Sequence, residues 1–298
     1  MTDVTSFDGT RLALEIAGPD GAPTVVLVHG LGLSTDSWGD VPARLADAHR
    51  VVAYDLRGHA QSGDARTDDY TLEAHARDLE AVLTACVPEG ERAVVVGHSL
   101  GGGIVLAAAE LAGTARMAGV VFAGSGGSGV TAPGLPARSL PAPLAAVLQR
   151  GWFGVLRAGA LVGHRVRGVQ AVSDTLIRRA AFAPGEPAEL VARVRETFLD
   201  TRPRALARTT LASLSHDGTR LASHLDVPTL IMHGTADPEV PEDELRELLS
   251  ALPDAELVSL PGAGHMLPLT HGPVVAEQVA RWVARTTSAG TTAPQEAR

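Results

Sequence analysis

An α/β fold built around a mostly parallel sheet is predicted for this chain of 298 residues by three observations. Short Val-rich runs alternate with helical segments, which is typical of a parallel sheet covered by helices on both faces. One of these runs leads directly into Gly97-His98-Ser99-Leu100-Gly101, and a helix-forming stretch follows it. The alternation stops after residue 125 and returns after residue 225, so one insertion is predicted to interrupt the α/β core.

The elements of the core follow from apolar runs and turn signals. Near the N-terminus, Asp8-Gly9 lies between two short strand-like runs and predicts a hairpin. Further strands are predicted at 24–28, 50–54, 93–96, 119–122, 228–232 and 255–260. Helices are predicted at 72–86, 100–112, 242–252 and 273–285.

The domain organisation follows from the interruption of this pattern. The core is predicted to comprise residues 1–125 and 226–285. Residues 126–225 open with Gly, Ser and Pro and continue in Arg- and Leu-rich helical stretches, so they are predicted to form a helical cap over the sheet. The tail, 286–298, is rich in Thr, Ala, Gly and Pro and is predicted to be disordered.

Composition excludes several classes of function. The net charge of −9 argues against binding to nucleic acid or to an anionic membrane, and no apolar run is long enough to span a bilayer. A single cysteine, Cys86, rules out an internal disulfide and a cysteine-rich metal site. The first residues lack the features of a secretory signal, so a cytoplasmic protein is expected. We expect no metal and no cofactor, while the oligomeric state is left open.

Ser99 is the predicted nucleophile, because it stands on a sharp turn between a strand and a helix. Gly97 and Gly101 allow the strained backbone and the close approach of neighbouring chain that such a turn requires. A serine hydroxyl needs a base, and the base needs an acid that orients it. Asp237 and His265 each follow a predicted strand, in the chain order Ser, Asp, His, and are the predicted acid and base.

Backbone amides are the predicted donors to the oxyanion that forms in acyl transfer. Leu100, directly after the nucleophile, supplies one amide, and Leu31 in the Gly-rich loop after strand 24–28 supplies the other. Four further residues beside these loops are weaker candidates for substrate contact. They are His29, Gly30, Trp38 and His98.

With these residues in place, the chain resembles the α/β-hydrolase fold superfamily, and specifically its capped, esterase- or lipase-like serine hydrolases. The resemblance rests on residues 29–32, 55–62 and 97–101 together with Asp237 and His265. It implies an eight-stranded, mostly parallel sheet flanked by helices, a Ser-His-Asp triad and a helical cap. Family members usually carry glycine where Ala60 stands, which leaves the geometry of that turn open.

The resulting hypothesis is hydrolysis of a carboxylic ester or thioester of a small to medium apolar acyl substrate through an acyl-enzyme. Dehalogenases and epoxide hydrolases of the family use an Asp nucleophile, which Ser99 excludes. Other functions on the same fold remain possible alternatives: a C–C bond hydrolase, a lactonase, a perhydrolase, or an acyl transferase or cyclase of secondary metabolism. A further alternative is a scaffold that binds a ligand without turning it over. Gly32 stands where perhydrolases of this family commonly have proline.

Overall fold

The computed structural model describes residues 2–126, 170–215 and 217–289. Residues 127–169 of the predicted cap and the tail from 290 onward lie outside the described residues. Among the described helices, none combines the length and the apolar character needed to cross a bilayer.

One eight-stranded sheet forms the centre of the molecule. Its strands are β1 (Thr2–Thr5), β2 (Arg11–Ala17), β3 (Thr24–Val28), β4 (Arg50–Tyr54), β5 (Ala93–His98), β6 (Met117–Ala123), β7 (Thr229–Gly234) and β8 (Ala255–Leu260). They lie in the spatial order β1-β2-β4-β3-β5-β6-β7-β8. The pairs β1–β2 and β2–β4 are antiparallel and all others are parallel, which confirms the predicted α/β-hydrolase sheet.

Helices cover both faces of this sheet. Those described are α1 (Val41–Leu45), α2 (Leu72–Cys86), α3 (Leu100–Ala112), α4 (Gln170–Ala181), α5 (Ala188–Asp200), α6 (Pro203–Ser215), α7 (Gly218–Ala222), α8 (Glu242–Ala251), α9 (Leu267–Thr270) and α10 (Gly272–Ala289). A 3₁₀ turn spans Thr35–Trp38.

Alternating side chains of the central strands supply two hydrophobic clusters. On one face Val26 and Val95 pack with Leu79 of α2 and Ile104 of α3. The opposite face places other strand residues against α1 and α10, where Trp282 is almost fully buried. Because every residue of β3 and β5 is buried, these two strands form the interior of the sheet and position the loops at their carboxyl ends.

The described part of the insertion, from α4 to α7, is helical. A third cluster joins α4 and α5 to loops of the core: Phe182 and Val194 pack with Leu33, which follows β3, and with Met266, which follows β8. These helices therefore lie against loops at the carboxyl ends of the parallel strands. The elements described between 170 and 222 are helices, and the cap formed by 126–225 as a whole stays a prediction.

One prediction was wrong at the C-terminus. Disorder was predicted from residue 286 onward, but α10 continues to Ala289. The hydroxyl of Thr286 donates to the carbonyl oxygen of Trp282, and that of Thr287 donates to the carbonyl oxygen of Val283. The helix therefore includes residues 286–289 of the predicted tail, for which a composition typical of disorder was misleading.

Candidate active site

Ser99 occupies the turn between β5 and α3 with an unusual backbone conformation. Its φ of 53° and ψ of −123° are strained for a residue with a Cβ. A Cβ at Gly97 would come within 2.6 Å of the Gly102 amide nitrogen, and one at Gly101 within 2.1 Å of the Val28 carbonyl oxygen. Gly97 thus allows the end of β5 to approach the start of α3, and Gly101 allows α3 to lie against β3. Ser99 is partly exposed, whereas the residues on either side of it are buried.

His265 and Asp237 meet at the same edge of the sheet, although 28 positions separate them. Asp237 follows β7 and His265 follows β8, and the carboxyl ends of these neighbouring parallel strands lie side by side. The Nδ1 atom of His265 donates to Oδ2 of Asp237 over 2.9 Å. The other oxygen, Oδ1, accepts from the amides of Glu239 and Val240 over 2.8 and 3.1 Å. Three hydrogen-bond donors therefore fix the carboxylate and, through it, the imidazole.

The imidazole of His265 lies close to the turn that carries Ser99. Its ring centroid is 5.1 Å from that of His98, the residue directly before Ser99. The backbone amide of His265 donates to the carbonyl oxygen of Ala181 in α4 over 3.1 Å, so a helix of the insertion also holds this loop. The Nε2 atom is buried and forms no hydrogen bond within the described part of the chain.

The charges of the pair stabilise each other. Burial alone would lower the pKa of His265, but the carboxylates of Asp237 and Glu239 outweigh it and raise that pKa from its ordinary value of 6.5 to about 9. Burial would likewise raise the pKa of Asp237. The positive charge of His265 and the hydrogen bonds that the Asp237 carboxylate accepts outweigh burial and lower this pKa. Asp237 is therefore ionised, and the imidazolium form of His265 is strongly favoured.

Glu239 is a member of this site that the sequence analysis missed. Its Oε2 atom lies 3.2 Å from Nε2 of His265, and its side chain is 17% exposed. Burial raises the pKa of this carboxyl group. Its position two residues after Asp237 matches no motif, and only the path of the loop between β7 and α8 brings it to the imidazole.

The loop after β3 lies beside Ser99. A Cβ at Gly30 would come within 3.0 Å of the Ser99 Cβ, so the absence of a side chain lets the loop approach the serine. The amide of Gly32 donates to His59 and that of Leu33 donates to the Gly30 carbonyl oxygen. No hydrogen bond of the Leu31 amide is found among the described residues.

Two buried imidazoles fix this loop. Nε2 of His29 accepts from the amide of Leu56 over 3.0 Å, and Nε2 of His59 accepts from the amide of Gly32 over 3.2 Å. Burial lowers the pKa of His29 to about 4 and that of His59 to about 3, so both rings are neutral and can accept. Leu100 is the first residue of α3, where helix geometry leaves the amide without a partner in the helix.

Three of the weaker candidates for substrate contact are buried behind the site. Trp38 is 1% exposed and packs in the cluster beneath α1 and α10, while His29 and His98 have no exposed surface. His98 Nδ1 donates to the carbonyl oxygen of Ala123. Their burial in this conformation does not support the prediction that Trp38, His29 and His98 touch substrate, and it favours a role in holding the loops. Gly30 is also buried but adjoins Ser99 directly.

The helices of the insertion reach the same edge. Phe198 of α5 lies against the oxyanion-loop candidate: a Cβ at Gly32 would come within 2.3 Å of its ring. No cluster of three or more His, Cys, Asp or Glu side chains suited to a metal ion occurs in the ranges 2–126, 170–215 and 217–289. The arrangement offers a serine, an oriented imidazole and backbone amides, which together suit acyl transfer.

Comparison with known proteins agrees with this fold. Residues 23–272 match the family described as alpha/beta hydrolase fold. A non-heme chloroperoxidase of Streptomyces lividans is 30% identical over 295 residues, which cover 92% of this chain and 96% of that protein. The structure of a thermophilic esterase from Thermogutta terrifontis superimposes with a TM-score of 0.77 at 25% identity, covering 96% of this chain and 98% of that one.

A shorter match has a higher sequence identity. An uncharacterized protein of Mycobacterium tuberculosis (strain ATCC 25618 / H37Rv) is 42% identical over 98 residues, which is 33% of this chain. The match spans only 27% of the length of that protein. It therefore informs about a part of the fold and not about the activity of either protein.

Proposed function

Because the chain belongs to the α/β-hydrolase fold family, we propose that it is a serine hydrolase that cleaves a carboxylic ester or thioester through an acyl-enzyme. The substrate proposed is a small molecule with a small to medium apolar acyl group. The observation that carries this proposal is the 2.9 Å hydrogen bond between His265 and Asp237 beside the strained turn of Ser99.

In the proposed reaction Ser99 Oγ forms a bond to the carbonyl carbon while its proton passes to Nε2 of His265. Asp237 holds the proton on Nδ1 and stabilises the imidazolium. The amides of Leu31 and Leu100 donate to the oxyanion. The C–O or C–S bond then breaks, and the leaving alcohol or thiol takes the proton from His265. Water resolves the acyl-enzyme by the same steps, which releases the carboxylic acid and restores the Ser99 hydroxyl.

The described helices of the insertion support a further part of the proposal, that 126–225 acts as a cap over a core formed by 1–125 and 226–285. Phe198 against Gly32 and the amide of His265 on Ala181 place α4 and α5 beside the proposed reacting groups. In this proposal the cap limits the size of the acyl group. We place the protein in the cytoplasm.

Active-site labelling tests the proposal. A fluorophosphonate probe is expected to form a covalent adduct that peptide mass spectrometry assigns to Ser99. The variant Ser99→Ala is expected to remain unlabelled, while Ser250→Ala, which changes an exposed serine of α8, is expected to label normally. Absence of labelling in the native protein would favour a non-catalytic binding scaffold.

Turnover identifies the substrate class. A series of p-nitrophenyl esters and acyl-thioesters from acetyl to dodecanoyl is expected to show turnover that peaks at short or medium chains. Hydrogen peroxide is tested in the same assay, because the relative from Streptomyces lividans is named a chloroperoxidase. An alcohol and a lactone are included to test the acyl-transferase and lactonase alternatives. Peracid formation that exceeds hydrolysis would favour the perhydrolase alternative over the esterase.

A further inference from the structure

Glu239 places a second carboxylate on the opposite side of the His265 ring from Asp237. Asp237 Oδ2 lies 2.9 Å from Nδ1, and Glu239 Oε2 lies 3.2 Å from Nε2. Nε2 is the atom that takes the serine proton in the proposed reaction. Glu239 therefore stands at the reactive nitrogen itself, and the orientation of the triad does not require it, because Asp237 already fixes the ring.

Two carboxylates, those of Asp237 and Glu239, lie at the two nitrogens of the His265 ring. Within the described residues, the titratable side chains that face His265 are Asp237, Glu239, His98 of β5 and His233 of β7. Burial lowers the pKa of His98 to about 3 and also lowers that of His233, so both rings are neutral at ordinary pH. The imidazole is thus the one group among these four that can carry a positive charge beside two carboxylates.

We propose that Glu239 is a positioning residue that holds His265 in its imidazolium form in the resting enzyme and so moves the working range of the base to alkaline pH. The proposal rests on the proposed function, in which neutral His265 is the base. Glu239 acts through His265 and not on the substrate. Its oxygen lies 3.2 Å from Nε2, a distance that suits a Coulombic interaction between the two side chains.

Two opposite effects on catalysis follow from this role. A carboxylate beside Nε2 makes the imidazole a stronger base, so the proton transfer itself is faster once the base is neutral. The carboxylates of Asp237 and Glu239 together keep His265 protonated in most molecules below pH 9, so fewer molecules are competent there. Removal of the charge is therefore expected to lower the plateau of kcat/KM at high pH and to move the acid limb of the profile to lower pH.

The pH profile of Glu239→Gln tests the proposal, because a residue with only a structural role would lower activity equally at every pH. The acid limb of kcat/KM is expected to move down by about 1 pH unit or more, as expected for loss of an opposite charge at this distance. Activity at pH 6, relative to the plateau, then rises about 10-fold. Glu239→Asp keeps the charge and is expected to restore part of the native profile. Glu247→Gln removes an equal charge from an exposed position of α8 and is expected to leave the profile unchanged.

A titration that does not depend on turnover separates this inference from the proposed function. The imidazole of His265 is followed by NMR of histidine-labelled protein and assigned by comparison with His265→Gln. In Ser99→Ala the pKa of His265 is expected to stay high, and in Ser99→Ala/Glu239→Gln it is expected to fall by about 1 or more. An unchanged pKa in the double variant would overturn the role of Glu239 whether or not the protein is a hydrolase. Native-like ester turnover by Ser99→Ala would instead overturn the proposed function, leaving the NMR result standing.

Discussion

Gly30 lies directly against Ser99, because a Cβ built on Gly30 would come within 3.0 Å of the Ser99 Cβ and 3.2 Å of a Leu33 methyl carbon. The contact fixes how closely the loop after β3 approaches the proposed nucleophile. In the proposed mechanism the same loop carries an oxyanion donor, the Leu31 amide. A small displacement of the loop therefore changes the distance between donor and oxyanion without touching any reacting side chain.

Gly30→Ala is expected to lower kcat by up to about 10²-fold, since a misplacement near 1 Å costs that much in an oriented site. The measurement is steady-state turnover of the preferred ester beside urea unfolding. Gly63→Ala serves as the control, because its Cβ would meet nothing closer than 3.4 Å. Native kcat in Gly30→Ala, at native stability, would mean that the loop contributes no donor.

The backbone conformation of Ser99 is expected to lower the stability of the folded protein. Its φ of 53° costs a residue with a Cβ about 1–3 kcal/mol of stability. Glycine avoids this strain, but it gives back part of the gain because it makes the unfolded chain more flexible. Ser99→Gly is therefore expected to have a free energy of unfolding about 1 kcal/mol higher than Ser99→Ala. Both variants lack the hydroxyl, so both are expected to lose about 10⁴–10⁶ in kcat. Equal stability of the two variants would argue that the turn relaxes around alanine.

Asp237→Asn is expected to lower kcat about 10⁴-fold, because an amide in place of the carboxylate allows the wrong tautomer of His265. The asparagine oxygen can still accept from the amides of Glu239 and Val240, so the loop is expected to keep its shape. The acid limb of the residual activity is expected to move to lower pH. Asp47→Asn, at an exposed position, is the charge-matched control. A full loss of structure in Asp237→Asn, measured by circular dichroism, would contradict the expected retention of the loop.

The pH dependence of stability follows from the same pair. The pKa of His265 is raised in the folded protein from 6.5 to about 9, so its stabilising contribution is complete below pH 6.5 and is lost as the pH rises through 9. The free energy of unfolding of the native protein is expected to fall over this window by about 2–3 kcal/mol relative to that of His265→Gln. Parallel curves for the two proteins would show that the imidazolium does not stabilise the fold.

Much of the core was predictable because buried parallel strands occur in the sequence as short, continuous apolar runs. The runs 24–28 and 50–54 are apolar on both faces, and the structure gives them the same bounds as β3 and β4. The turn at Ser99 was predictable for a similar reason: a strand, two glycines and a helix stand in an order that few other structures require. Local sequence therefore determines these elements almost alone.

Other features depend on the path of the chain in space. Ala60 adopts a φ of 34°, so the turn keeps a left-handed conformation without the glycine that such a turn favours. Trp38 follows the oxyanion-loop candidate closely in sequence, yet the 3₁₀ turn directs it into the core. The approach of Glu239 to His265 has no local signal, because it depends on how two loops from neighbouring strands meet.

The position of β8 has a consequence for how activity is lost. This strand pairs only with β7 in the described sheet, and His265 follows it, whereas Ser99 follows β5 in the interior. An edge strand opens by breaking a single ladder, so it detaches at a smaller free-energy cost than a central one. Denaturant or heat is therefore expected to displace His265, the proposed proton acceptor, while most of the sheet is still intact, so that inactivation precedes global unfolding.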